Sequence, residues 1–144
     1  MIALKEVENF IHDTYKLTNI VRYQNCRRIS NETVAQHCFN VSLIILKLSE
    51  FYNFNLEKAL SMGLIHDLPE IYITDVPNNV KRQYPNIATA LKEAEFEAIK
   101  KFGKKFEELF VEFEDKKSIE STIVQYADVL SCQQYALCEC NLGN

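Results

Sequence analysis

The chain has 144 residues, 47% of them hydrophobic, and a net charge of −4 from 16 Lys and Arg against 20 Asp and Glu. That length builds one domain with a core rather than two, and the acidic balance argues against general binding to nucleic-acid backbone or anionic membrane. With three glycines and three prolines the chain lacks the regular turn signals of an all-β domain, and its longest apolar run, residues 41–48, already contains Ser42 and Lys47 and falls far short of a membrane span.

Apolar residues recur at helical spacing almost throughout, so the expected fold is all-α, a single domain over residues 1–144. A first helix is expected over residues 2–17, with Val7, Phe10, Ile11 and Tyr15 inward. Residues 14–31 then hold Lys16, Arg22, Arg27 and Arg28 and no acid, a cationic patch inside an acidic protein. The second helix is expected to start after Ser30 or Asn31, both good caps, and to run to about residue 54 with Val34, Val41, Ile44, Ile45 and Leu48 as its buried stripe. His37 lies on that stripe.

A third helix, capped by Asn55, carries Leu56, Ala59, Leu60 and Leu64 toward His66 and Asp67. Pro69 has no N–H to give and biases Leu68 away from helical dihedrals, so the helix kinks or restarts there. Residues 74–85 read as the one real loop. A helix over residues 86–102 follows, with Ile87, Ala90, Leu91, Ala94, Ala98 and Ile99 inward and Gly103 as its C-cap. Next come a charged helix over residues 104–114 and a last helix capped by Ser118. In that helix Ile119, Ile123, Tyr126, Ala127, Leu130 and Leu137 are expected inward, with Asp128 beside them. Five cysteines without a C-x-x-C pair, and an opening without signal-peptide form, fit a cytoplasmic protein with reduced thiols.

Three features combine into a site: His37, the pair His66-Asp67, and Asp128. Singly each has a bland explanation, as a core histidine, a chance dipeptide and a solvent-facing carboxylate. Together they gain weight because Val124, Ala127, Ser131 and Tyr135, the helical neighbours of Asp128, carry no charge, so a buried carboxylate there needs a partner. Two imidazoles and two carboxylates form a mixed nitrogen and oxygen set suited to Mn, Fe, Co, Ni or Zn. Around a six-coordinate ion, such a set leaves room for water and a substrate oxygen, as metal-assisted hydrolysis requires. Glu70 projects to the same side if the backbone stays near-helical through Pro69, where it would orient or deprotonate the water. The alternative for Glu70 is an acid stabilised by the dipole of a restarted helix.

The spaced stretches Arg22-Tyr23, ETVAQH ending at His37, HDLPE from His66 to Glu70, TDVPNNVK from Thr74 to Lys81, and QYADVL around Asp128 span most of the chain. In that order they resemble the HD-domain metal-dependent phosphohydrolases, and within them the bacterial YfbR-like 5'-deoxynucleotidases. The resemblance implies a bundle of about six or seven helices around one divalent transition metal, with His37, His66, Asp67 and Asp128 as its ligands. It implies that Glu70 and Asp75 serve the catalytic water or the substrate sugar, that Arg22 holds the phosphate, and that Tyr23 packs near sugar or base. Lys81, Arg27 and Arg28 are further cationic candidates for the phosphate, with solvent exposure as the alternative for each.

Three departures from the family pattern stand out. Tyr23 replaces the usual tryptophan. Thr74-Asp75 and Pro77-Asn78-Asn79 replace the usual Gly-Asp and Pro-Thr-Pro. The sequence ends at Asn144, where relatives continue with further helix, which bears on pocket closure and on the family's homodimer. The expected activity is hydrolysis of a (deoxy)nucleoside 5'-monophosphate, with a small nucleotide as partner and neither nucleic-acid polymer nor membrane. A nucleoside triphosphate hydrolase, using Lys16, Arg27 and Arg28, and a non-catalytic module binding nucleotide or protein are the alternatives. Because Pro69, Pro77 and Pro85 cluster around the same motifs, the irregular stretch and the metal are expected to share one pocket.

Overall fold

The computed structural model describes residues 2–144, with side chains from residue 3 onward. Its elements are α1 (Ile2–Thr14), a 3-10 turn (Tyr15–Thr18), α2 (Val34–Leu48), α3 (Leu56–Ile65), α4 (Glu70–Ile73), α5 (Asn78–Gln83), α6 (Pro85–Lys100), α7 (Lys104–Asp115) and α8 (Ile119–Asn141). The fold is all-α: among the described residues the one β feature is an isolated bridge between Val21 and Thr33.

That bridge explains why α2 starts later than the caps at Ser30 and Asn31 suggested. Arg22 N–H donates to the Glu32 carbonyl and Val34 N–H to that of Ile20, which holds the chain extended up to Thr33. Thr33 then caps α2 in a reciprocal box, its Oγ1 accepting from Gln36 N–H while its own N–H donates to Gln36 Oε1. The helix also stops at Leu48 rather than near residue 54, since Phe51 and Tyr52 are exposed and another turn would bury nothing.

Asn55 caps α3 as expected, accepting from Lys58 N–H, and its own N–H donates to Glu120 at the start of α8. After Ile65 the chain tightens through His66–Pro69 and restarts as the short α4. The expected loop over residues 74–85 is partly helical: Pro77, with its preset φ, leads into α5. Gly103, at φ 103°, ends α6 and opens α7, a backbone state that favours glycine.

Helices α2, α3 and α8 meet around Val41, Ile45, Met62, Val124 and Ala127, all fully buried. A second cluster gathers Leu17, Val34, Ile65, Leu68, Ile99 and Phe110 under α6 and α7. Several residues expected inward are exposed instead: Val7, Ile11 and Tyr15, Leu64 and Ile87, and Ile119, Tyr126 and Leu137 on α8. Among the described apolar side chains of α1, Phe10 turns inward, against Phe102 and Phe106. The core face of α8 is a narrow stripe through Ile123, Val124 and Ala127, so the wider stripe read from periodicity spills onto the surface.

Gly63 allows the close approach of α2 and α3. A Cβ there would stand 2.5 Å from Ile45 Cδ1 and 3.5 Å from Val41 Cγ1, both in side chains that are fully buried. Gly63→Ala should therefore destabilise the protein by about 1–3 kcal/mol in denaturant unfolding, the cost of overpacking a tight core. An unchanged midpoint would show that Ile45 turns aside freely.

Candidate metal centre and substrate cavity

Each of the three packed helices delivers part of one cluster. His37, fully buried on α2, places Nε2 2.9 Å from Asp128 Oδ1 of α8 and 3.4 Å from His66 Nε2 at the end of α3. Asp67 Oδ2 lies 3.3 Å from His66 Nε2 and 3.8 Å from His37 Nε2. The far ring nitrogens have their own partners: His66 Nδ1 donates to the Gly63 carbonyl at 2.8 Å, and His37 Nδ1 meets Ser131 Oγ at 3.2 Å. Those outer bonds turn both Nε2 atoms toward the carboxylates, the arrangement that orients histidine ligands.

This donor set fits a divalent transition metal. Ligand atoms bonded to one ion at about 2.1 Å stand about 3 Å apart, close to the separations within the trio His37, His66 and Asp128, while Asp67 groups more closely with His66 and Cys38. Burial disfavours a charge on His66, yet Asp67 with Cys38 and Asp128 holds its pKa well above the usual 6.5. Burial would raise Asp128, but the bond from His37 and the charges of His66 and Arg22 bring it down to about 2.

The cluster forms one wall of a cavity of about 570 Å³ that His66, Asp67 and Asp128 line and His37 backs from behind. Pro69, Asp75, Pro77 and Lys81 line the same cavity, so the irregular stretch and the donor cluster do share one pocket; Pro85 lies outside it. Glu70 is aimed into it with Oε2 buried and without a hydrogen-bond partner in the protein. Burial first, and then the charges of Asp67 and Asp75, push its pKa up to about 9. Asp75 is raised by burial too, against the pull of Arg22, and its Oδ2 accepts from Tyr23 N–H at 3.3 Å.

Arg22 reaches the cavity but is not the unpaired cation that its acid-free stretch suggested. Its Nη1 donates to Glu32 Oε2 at 2.9 Å and its Nη2 to Cys132 Sγ at 3.5 Å. Tyr23, at φ 57°, stacks in parallel on Tyr135 with centroids 4.7 Å apart. Lys81 lines the cavity at 4.0 Å from Glu95. The other cationic candidates are elsewhere: Lys16 pairs with Asp13 outside, Arg27 is exposed, and Arg28 bonds to Asn31 and the Tyr23 carbonyl. Glu32, Cys132, Glu95, Glu114 and Lys116 are site neighbours that sequence reasoning missed, and Tyr135 figured in it only as an uncharged neighbour of Asp128. A signal existed for Cys132 and Tyr135, which follow Asp128 at helical spacing, whereas nothing local marks Lys116.

Comparison with known proteins supplies the family. The YfbR-like 5'-deoxynucleotidase family matches residues 9–144. This chain belongs to that family. The 5'-deoxynucleotidase of Photobacterium profundum is 28% identical over 152 residues, covering 96% of this chain and 78% of that protein. A conserved hypothetical protein from Pyrococcus furiosus superposes with a TM-score of 0.76 at 30% identity, over 90% of this chain and 82% of that one. An HD phosphohydrolase of cyanophage S-2L, solved with dA and one catalytic Zn2+ ion, shares the fold at a TM-score of 0.66 and 19% identity, over 86% and 68% of the two chains.

Thr74, beside Asp75 at the cavity, falls on demanding backbone. Thr74 sits at φ 62° and ψ 170°, a region that glycine enters freely and a β-branched residue enters only under strain. Thr74→Gly should therefore stabilise the protein by about 1 kcal/mol, seen as a higher melting temperature, and a lower one would show that the Thr74 side chain contributes more than its strain costs. His37→Ala should abolish stoichiometric metal uptake as measured by elemental analysis, and full retention would remove His37 from the ligand set.

Proposed function

We propose that this chain is a metal-dependent 5'-nucleotidase that removes phosphate from (deoxy)nucleoside 5'-monophosphates. One observation carries the reading: two imidazole nitrogens and two carboxylates converge at a cavity wall, with an arginine and an unpartnered buried glutamate facing the same space. At about 570 Å³ the cavity is in the size range of small-ligand sites.

His37, His66, Asp67 and Asp128 would hold one divalent ion, drawn from Mn, Fe, Co, Ni and Zn. Such an ion, when bound, supplies Lewis-acid polarisation of a phosphoryl oxygen and acidifies water. The chain's own groups do the rest. Arg22 is oriented by Glu32 and keeps further N–H donors for phosphate oxygens, neutralising charge there. Glu70, with its free Oε2 facing the cavity, is placed to orient the attacking water and, in its ionised form, to accept the water's proton. Asp75, fixed by the Tyr23 N–H, is set to meet the sugar beside the Tyr23 ring, and Lys81 offers a second cation at the rim.

A monophosphate is favoured over a triphosphate by the charge of the cavity. Six carboxylates, Asp67, Glu70, Asp75, Glu95, Glu114 and Asp128, line it against Arg22, Lys81 and Lys116, and the cations that would hold extra phosphates point elsewhere. Among the described residues no helix is long and apolar enough to cross a membrane. The cytoplasm as working compartment and a homodimer, for which the exposed Phe39, Leu43 and Leu46 on α2 offer a surface, complete the reading.

The test is phosphate release from a panel of ribo- and deoxyribonucleotides, with each of the five metals restored to stripped protein. Glu70→Gln should keep its metal and lose turnover by about 100-fold or more, the scale of a lost general base. Undiminished release would refute that role, and release of pyrophosphate or triphosphate would replace the monophosphate reading.

A further inference from the structure

One face of α8 touches both halves of the site. Asp128 belongs to the donor cluster and Ser131 holds the His37 ring. Cys132 bridges Asp128 Oδ1, at 3.6 Å, to Arg22 Nη2. Farther along the helix, Tyr135 stacks on Tyr23 and its hydroxyl donates to the Ser30 carbonyl at 2.8 Å. Glu139, only 5% exposed, accepts from Ile29 N–H at 2.7 Å, from Ser30 N–H at 2.8 Å, from the Ser30 hydroxyl, and from Asn144 Nδ2 at 2.9 Å.

The segment these residues grip is held by polar contacts rather than by a core: elsewhere Tyr23 N–H donates to Asp75 Oδ2, Asn25 Nδ2 to Asn79 Oδ1, and Arg22 to Glu32 and Cys132. Residues 22–31 contain no buried side chain, and the backbone bonds at the Val21–Thr33 bridge secure only its base. Yet the segment carries Arg22, and it carries Tyr23 at a positive φ that costs energy unless the surroundings over-determine it. A loop without core contacts samples many conformations, and fixing it falls to directed polar bonds and the ring stack.

We propose that Tyr135 and Glu139 are positioning residues, a latch on α8 that locks the segment of residues 21–33 so that Arg22 and Tyr23 are preset for the substrate phosphate and sugar. This rests on the nucleotidase reading above. The latch acts on binding rather than on the chemical step, because it touches neither the donor cluster nor Glu70. It also gives α8 two tasks, one at each end of a single face.

The experiment uses the full chain, loaded with metal, and the variants Tyr135→Leu, Tyr135→Phe and Glu139→Gln. Tyr135→Leu should raise KM for dAMP about tenfold, leaving kcat within about twofold and metal content unchanged, while Tyr135→Phe, which keeps the stack, restores most of the affinity. Independently of activity, Tyr135→Leu and Glu139→Gln should speed amide hydrogen exchange in residues 21–33 and leave α2 and α3 as slow as before. Unchanged exchange in that segment overturns the latch, and so does faster exchange with an unchanged KM. A wild-type protein that releases no phosphate with any metal overturns the nucleotidase reading instead, and the exchange measurement still decides whether the latch exists.

Discussion

The separation of 3.4 Å between the two Nε2 atoms of His37 and His66 is the constraint around which the bundle is built. Two imidazoles so close, with Asp67 and Asp128 against them, cannot all be solvated by water, because His37 is fully buried and His66 nearly so. Polar groups in such a place need partners, and burying them without partners costs several kcal/mol. The partners come from three different helices, so α2, α3 and α8 can pack in only one mutual register. Gly63 serves that register twice: its missing side chain lets α3 approach Ile45, and its carbonyl accepts the proton of His66 Nδ1.

The two ends of the site obey different physics. At the donor cluster, rigid core packing sets the geometry, with Val41, Met62, Val124 and Ala127 close behind the histidines. At the Arg22 end there is no core, and an ion pair with Glu32, a stacked pair of tyrosines and the carboxylate of Glu139 take its place. Under the proposed function, a burial-driven half would hold the ion and a polar half the nucleotide, which suits the demands on each, since the second would admit and release a ligand at every turnover.

Much of this was legible in the chain. Helical periodicity marked the long helices, Asn55 and Ser118 marked two helix starts, and the uncharged neighbours of Asp128 pointed to a carboxylate in need of a partner, which His37 supplies although Asp128 itself is only partly buried. What stayed hidden depends on tertiary partners. The bridge between Val21 and Thr33, whose partners lie twelve residues apart in sequence, moved the start of α2 past two adequate caps. Apolar residues on α1 and α8 obey helical spacing whether or not anything covers them, so Val7, Tyr126 and Leu137 were misread as core. Glu32 sits one residue beyond the acid-free stretch, and only the fold shows that it returns to neutralise Arg22.

The position of His37 behind the cavity wall has a further consequence. His66, Asp67 and Asp128 border the cavity, whereas His37 closes the far side with no exposed surface. An ion held by these four groups would face the cavity, the side on which the proposed nucleotide would rest. Such a nucleotide would lie between the ion and solution, and exchange of the metal would then fall between turnovers.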